Sequence, residues 1–269
     1  MWGGMRKLSV RIAVVALLVA AYVLTRHEIP AAAPRPPVNP KANAPLAQTA
    51  WDTCVSGDPN AGIPVSEYPS SFDPNSLINT PSCNQAVLGQ INQRHRAEGV
   101  APMKLPGDFS SLSPAMQLLV VTNAERTSRG LPRISGMVAS LNKDALVAAR
   151  AGVDPNPSKA DGPWTTYDSI WAGGYPSALL ADYDWMYNDG WGGNSNGTIN
   201  LDCPSPAAKG CWGHRDAILD NYQLTKGEIL VGGAAVVTSG PASLTLPSLA
   251  AAFEAVPSST IKVASPIPG

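Results

Sequence analysis

Charge is scarce in this chain. Asp, Glu, Lys and Arg make up 14% of the 269 residues, against about 25% in an average soluble protein. The net charge is −1, so no basic field is present to draw in nucleic acid. Histidine is scarcer still, with only His27, His95 and His214. That leaves little for a metal centre built on imidazoles. Long apolar runs are also lacking. The one uncharged apolar run, Ile12 to Leu24, has 13 residues and is short of the roughly 20 that a membrane span needs. The four cysteines include no C-x-x-C pair, which argues against a zinc ribbon.

The N-terminus reads as an export signal. Arg6, Lys7 and Arg11 precede the apolar run, whose length suits a signal peptide. Ala31-Ala32-Ala33 offers small residues for cleavage, though late. Residues 1–28 are therefore expected to be a signal peptide or an N-terminal membrane anchor acting through residues 12–24. The protein would be secreted, or held on the outer face of the cytoplasmic membrane. Residues 29–50 contain six prolines and no acid, the composition of a disordered linker. Cys54, Cys83, Cys203 and Cys211 form an even set in an exported chain, so two disulfides are expected. Proximity in sequence favours Cys54–Cys83 and Cys203–Cys211.

Residues 51–112 read as an N-terminal extension, with a disulfide-tied arm and then a helix over 83–98 that stops at Gly99. In that helix Arg94-His95-Arg96 suggests a solvated face. A second helix opens with Ser113 as cap and Pro114 in its first position, and ends at Gly130. A third runs from near Ser140 to Gly152. Thr166 to Ala172 has strand character, and Pro176 to Asn188 is helical. Glu228 to Thr238 and Leu249 to Val256 are apolar enough for buried strands, and the Gly240-Pro241 turn between them suggests antiparallel pairing. The tail, 258–269, is expected to be loose.

Five stretches, in this order, resemble the CAP superfamily (cysteine-rich secretory, antigen 5 and pathogenesis-related proteins), bacterial type. They are Val121-Thr122-Asn123-Ala124-Glu125-Arg126, then Leu141 to Ala151, Asp168-Ser169-Ile170-Trp171, Trp185-Met186, and Gly213-His214-Arg215-Asp216-Ala217-Ile218-Leu219. The resemblance covers 113–256 and sets the boundaries of a CAP-like domain at 113–257. It implies an α+β fold, an α-β-α sandwich with a small, mostly antiparallel sheet between helical layers and a cleft. The family's fuller members line that cleft with two His and two acids. His214 fits the second His, and Asp168 stands where the first acid stands. Asp182 or Asp184 is available for the second acid. The first His would fall in or just after the loop that begins at Val153, and no His is present between His95 and His214.

His214 held by Asp168 could act as a general base, or the two could form a buried polar pair that ties the last helix to the sheet. Trp171, Trp185 and Trp212 flank the expected cleft and are candidates for ligand binding. Gly193-Asn194-Ser195-Asn196-Gly197 matches a nucleophile elbow only formally, since no strand and helix flank it. The same loop lacks the carboxylates of a calcium loop. The favoured reading is an exported CAP-like (SCP-like) extracellular module. It would bind a lipid, glycan or peptide, or another cell-envelope component, with no catalysis and no cofactor. A hydrolase using His214 with an acidic partner is the alternative, and a purely structural envelope protein is a third.

Overall fold

The computed structural model describes residues 38–55, 79–157, 163–191, 203, 205, 207–208, 210–237 and 247–268. The apolar run 12–24, the Ala31-Ala32-Ala33 site, residues 56–78 of the arm and the 193–197 loop lie outside them.

Three of the helices start where the sequence supplies a side-chain acceptor. After α1 (Gln48–Val55), α2 (Pro81–Glu98) is capped by Thr80, whose hydroxyl accepts from the Cys83 N–H. Ser113 caps α3 (Pro114–Ser128) in the same way, with proline in the first position, where no N–H is needed. α4 (Ala139–Ala151) ends at Gly152, which takes the left-handed conformation at φ 73°. Ser177 caps α5 (Ala178–Tyr187), and α6 (Gly213–Leu219) completes the set.

Five strands form one sheet: β1 (Ile134–Met137), β2 (Thr166–Gly173), β3 (Glu228–Val237), β4 (Ser248–Pro257) and β5 (Ser265–Pro266). Their order is β2-β4-β3-β1-β5. β1 and β3 run parallel and the other pairs are antiparallel. Strand alternation builds the sandwich. A Cβ at Gly232 would press on Leu119 of α3, and one at Gly233 would collide with Leu141 of α4. Neighbouring residues of β3 thus face opposite helical layers. The expected α+β sandwich is the fold observed. On the α4 side, Leu141 packs with Val138, Val231 and Val256 at one end, and at the other Ala145, Ala148, Ala149, Ala235 and Ala250 let helix and sheet approach closely. The other side holds the larger core.

Both expected disulfides are formed, Cys54–Cys83 and Cys203–Cys211. The first joins α1 to the opening turn of α2. Disulfides of this kind belong to an oxidising compartment. Three expectations need correction. Residues 38–50 are not free linker. Ala44 N–H bonds to Tyr187 O at 2.7 Å, and the Tyr183 hydroxyl donates to Ala44 O at 2.9 Å. Residues 79–112 of the expected N-terminal extension are built into the domain, because Val87, Ile91, Met103 and Phe109 share the main core with Leu118 and Leu119. The tail is anchored: β5 pairs with β1, Ile267 is buried, and Arg133 donates to Ile267 O at 2.7 Å.

Candidate functional site

The His214 site is built where α6 begins. Trp212, just ahead of it, has φ 66°, a left-handed backbone that costs a bulky residue about 1–3 kcal/mol. Its ring is buried over Gly190, where a Cβ would collide with both the indole and Asn43 Oδ1. Only glycine allows that approach. Trp212 N–H points at Asp189 O (3.4 Å), and its own carbonyl accepts the Asp216 N–H at 2.8 Å. The turn therefore aims His214 at Asp189. His214 Nδ1 lies 2.8 Å from Asp189 Oδ2, and Nε2 lies 3.7 Å from Asp154 Oδ1. The Trp185 ring stands 6.1 Å from the imidazole, centroid to centroid. His214 and Asp189 side chains are 18% and 11% exposed, but that of Asp154 is 48% exposed, so the pair opens to solvent on the Asp154 side.

Residues 39–43 brace this site. Asn43 accepts the Gly190 N–H at 2.6 Å and donates to Gly190 O and Trp191 O. Asn39 donates to Asp216 Oδ1 at 2.9 Å.

Electrostatics decide what the imidazole can do. Burial alone would disfavour its charged form, but the carboxylates of Asp154 and Asp189 outweigh burial and raise its pKa to about 10. His214 is thus an imidazolium at neutral pH. It has no lone pair to accept a proton or to ligate a metal. Among the described residues no group of three or more His, Cys, Asp or Glu is placed to hold a metal ion. Asp184, one turn from Asn188, is pushed up to about 6, chiefly by burial.

Of the five residues expected to share a binding site, the structure brings three together. Trp185 and Trp212 meet His214 around Asp189, but both rings are buried and serve as the floor. Trp171 faces the α4 layer, where its indole N–H donates to Ser248 Oγ at 2.7 Å. Asp168 is three residues earlier on the same strand and so points to the opposite face. It does not pair with His214. It lies beside Tyr222 and Arg126, and burial raises it to about 6. Arg126 itself donates to Pro132 O, Ile218 O and Asp220 O, fastening α3 to the end of α6. Asp182 is not in the site either. The acid that holds His214 is Asp189, with Asp154 as the more distant second carboxylate.

Behind the site is a second polar centre that the sequence reading missed. His95 is fully buried, not on a solvated face. Its Nδ1 donates to Ala101 O (2.6 Å), which can only accept, and its Nε2 faces Glu125 Oε2 at 2.9 Å. The Tyr187 hydroxyl donates to Glu125 Oε1 at 2.9 Å, and Arg129 Nη1 bonds Glu125 Oε2. Arg129 and Arg215 both reach Glu98 Oε2, at 2.7 and 2.9 Å. Arg215 also donates to Met186 O at 2.6 Å, so this residue is an internal clamp on α6. Burial alone would raise Glu125, but Arg129 and His95 bring it down to about 2. Asp182 completes the centre. Neither of its buried carboxyl oxygens has a donor. Burial and the adjacent Glu125 push its carboxyl well above the ordinary carboxylate range.

Compared with family models, curated proteins and solved structures, the chain matches none.

Proposed function

We propose that this protein is an exported CAP-like module, secreted or anchored through residues 12–24, that binds its ligand at the His214 site without catalysis. One observation carries the proposal: His214 is held between Asp189, 2.8 Å from Nδ1, and the half-exposed Asp154, 3.7 Å from Nε2, two carboxylates that raise its pKa to about 10. A general base must be largely neutral near the working pH, and this group is not. What the site offers outward is carboxylate oxygen, an acceptor for hydroxyl or amine donors. That favours a glycan or a peptide over a lipid. The CAP-like reading is supported by the α-β-α sandwich, and by the five motif stretches falling in order on α3, α4, β2, α5 and α6. The two disulfides support export.

The test is a binding screen of purified protein against arrayed glycans and peptides, repeated with His214→Gln and Asp154→Asn. The reading expects a saturable ligand that both variants lose by about tenfold or more. It is overturned if the wild type hydrolyses an ester or amide at a rate that His214→Gln abolishes while melting normally.

A further inference from the structure

A second candidate site shares no lining residue with the first. An open groove of about 280 Å³ runs along α3. Val120, Ala124 and Thr127 of that helix lie along it, Pro102, Met103 and Pro106 form one wall, and Arg133 and Pro268 form the other. The volume is at the lower end of small-molecule sites, roughly 300–1,000 Å³, and too small for a two-chain lipid.

The polar side chains around the groove are nearly all committed internally. Asn123 uses both ends of its amide on the Ile134 backbone, at 2.9 and 2.7 Å. The Thr127 hydroxyl donates to Asn123 O and that of Ser128 to Glu125 O. The wall is committed too. Met103 N–H and C=O are both bonded to Asn92, and Ala101 O is bonded to His95. Pro102 and Pro106 have no N–H to give. A sugar or an extended peptide would leave its own polar groups unpaired here. Two groups remain free to bind outward. Lys104 is exposed, and Arg133 spends one Nη2 bond on Ile267 O and has no acidic partner among the described residues. No Asp or Glu lines the groove.

We propose that this groove binds a small amphiphile with one anionic head and an aliphatic body, of the class of medium-chain carboxylates. The head sits between Lys104 and Arg133. The chain lies on Met103, Val120 and Ala124. This ligand is independent of the one at His214.

The experiment is calorimetry on the full folded protein with decanoate, decanol and decyltrimethylammonium, each below its micelle concentration. Decanoate should bind one-to-one and saturably, with the alcohol and the cation weaker by about tenfold or more. Lys104→Ala and Arg133→Gln should each weaken decanoate several-fold, and Arg133→Lys should restore most of the loss. Ala124→Phe should fill the groove and abolish binding. If that variant melts abnormally, the Lys104→Ala, Arg133→Gln double variant replaces it. His214→Gln should leave decanoate binding unchanged. Equal binding of decanol and decanoate, indifference to the cation variants, or no saturable binding overturns the proposal. Loss of decanoate binding in His214→Gln would do so as well.

Discussion

Two centres in this molecule use the same parts, a histidine and carboxylates, and differ in what surrounds them. The inner one, around Glu125, is sealed. Both His95 and Glu125 have side chains with no exposure, and two arginines match Glu98 and Glu125. The outer one, around His214, is open at Asp154 and has more carboxylate than cation. Burial makes the inner centre a piece of architecture, because a sealed charge must be paired or its pKa is pushed toward the neutral form, the direction in which burial moves Asp182. Partial exposure leaves the outer centre with bonding capacity toward solvent, as a binding site needs. Arg215 and His214 are neighbours on α6 and belong to different centres. The inner centre thus sets the position of the outer.

The largest break in this comparison should come from Arg129→Met. It leaves the buried Glu125 without its arginine, while Glu98 keeps Arg215, and such a loss costs about 3–5 kcal/mol in a buried network. Asp189→Ala, the matching cut at the outer centre, should cost only about 1–2 kcal/mol. Urea unfolding of both variants measures the contrast. Equal losses would mean that the two centres are not energetically distinct.

Next in size is a pH effect that belongs to the outer centre. The folded state raises His214 from its ordinary value near 6.5 to about 10. A raised pKa gives stability that is fully present below the unfolded value and is lost as pH rises through the folded one. The advantage of wild type over His214→Gln should therefore be about 2–4 kcal/mol at pH 6, shrinking between pH 6.5 and 10. A difference that stays flat across that window would contradict the imidazolium.

The inner centre has a pH effect of its own, smaller and visible in a variant. Asp182 is raised because burial and Glu125 oppose its charge. Its favourable contribution is thus full at acid pH and declines as pH climbs above the ordinary carboxylate range. Asp182→Asn mimics the neutral acid at every pH. It should stabilise the fold by about 1–2 kcal/mol at pH 8, with the gap closing toward pH 4. Melting curves at the two pH values check it.

The inner centre could have been found in the sequence and the outer could not. Val87, Ile91 and His95 recur every four residues on α2, so the histidine shares the buried face of its helix. Glu125 and Arg129 are also four apart. Reading Arg94-His95-Arg96 as one solvated run hid that spacing. Helix limits were legible because Ser113, Pro114 and Gly152 carry their reasons locally. β1 was not, since four residues after a proline give no period, and its partners β3 and β5 are some 95 and 130 positions away. Asp189 and Asp154 lie 25 and 60 residues from His214, in loops without periodicity, and only the fold brings them together. Asp168 was assigned to the right strand. Its partner was wrong because alternation on β2 was not followed through to the layer it faces.

The smallest expected effect separates the centres most sharply. Asp154 is half-exposed and 3.7 Å from His214 Nε2, so solvent screens the pair and Asp154→Asn should cost no more than about 1 kcal/mol. The imidazole should remain charged at neutral pH, because Asp189 still holds Nδ1 at 2.8 Å. Its pKa, read by NMR from the ring protons, should fall from the wild-type value yet stay above the ordinary 6.5. Asp189→Asn should lower it further, having removed the closer charge. The reverse order would make Asp154 the principal partner, and the open side of the site would then be spent on holding histidine instead of being free for a ligand.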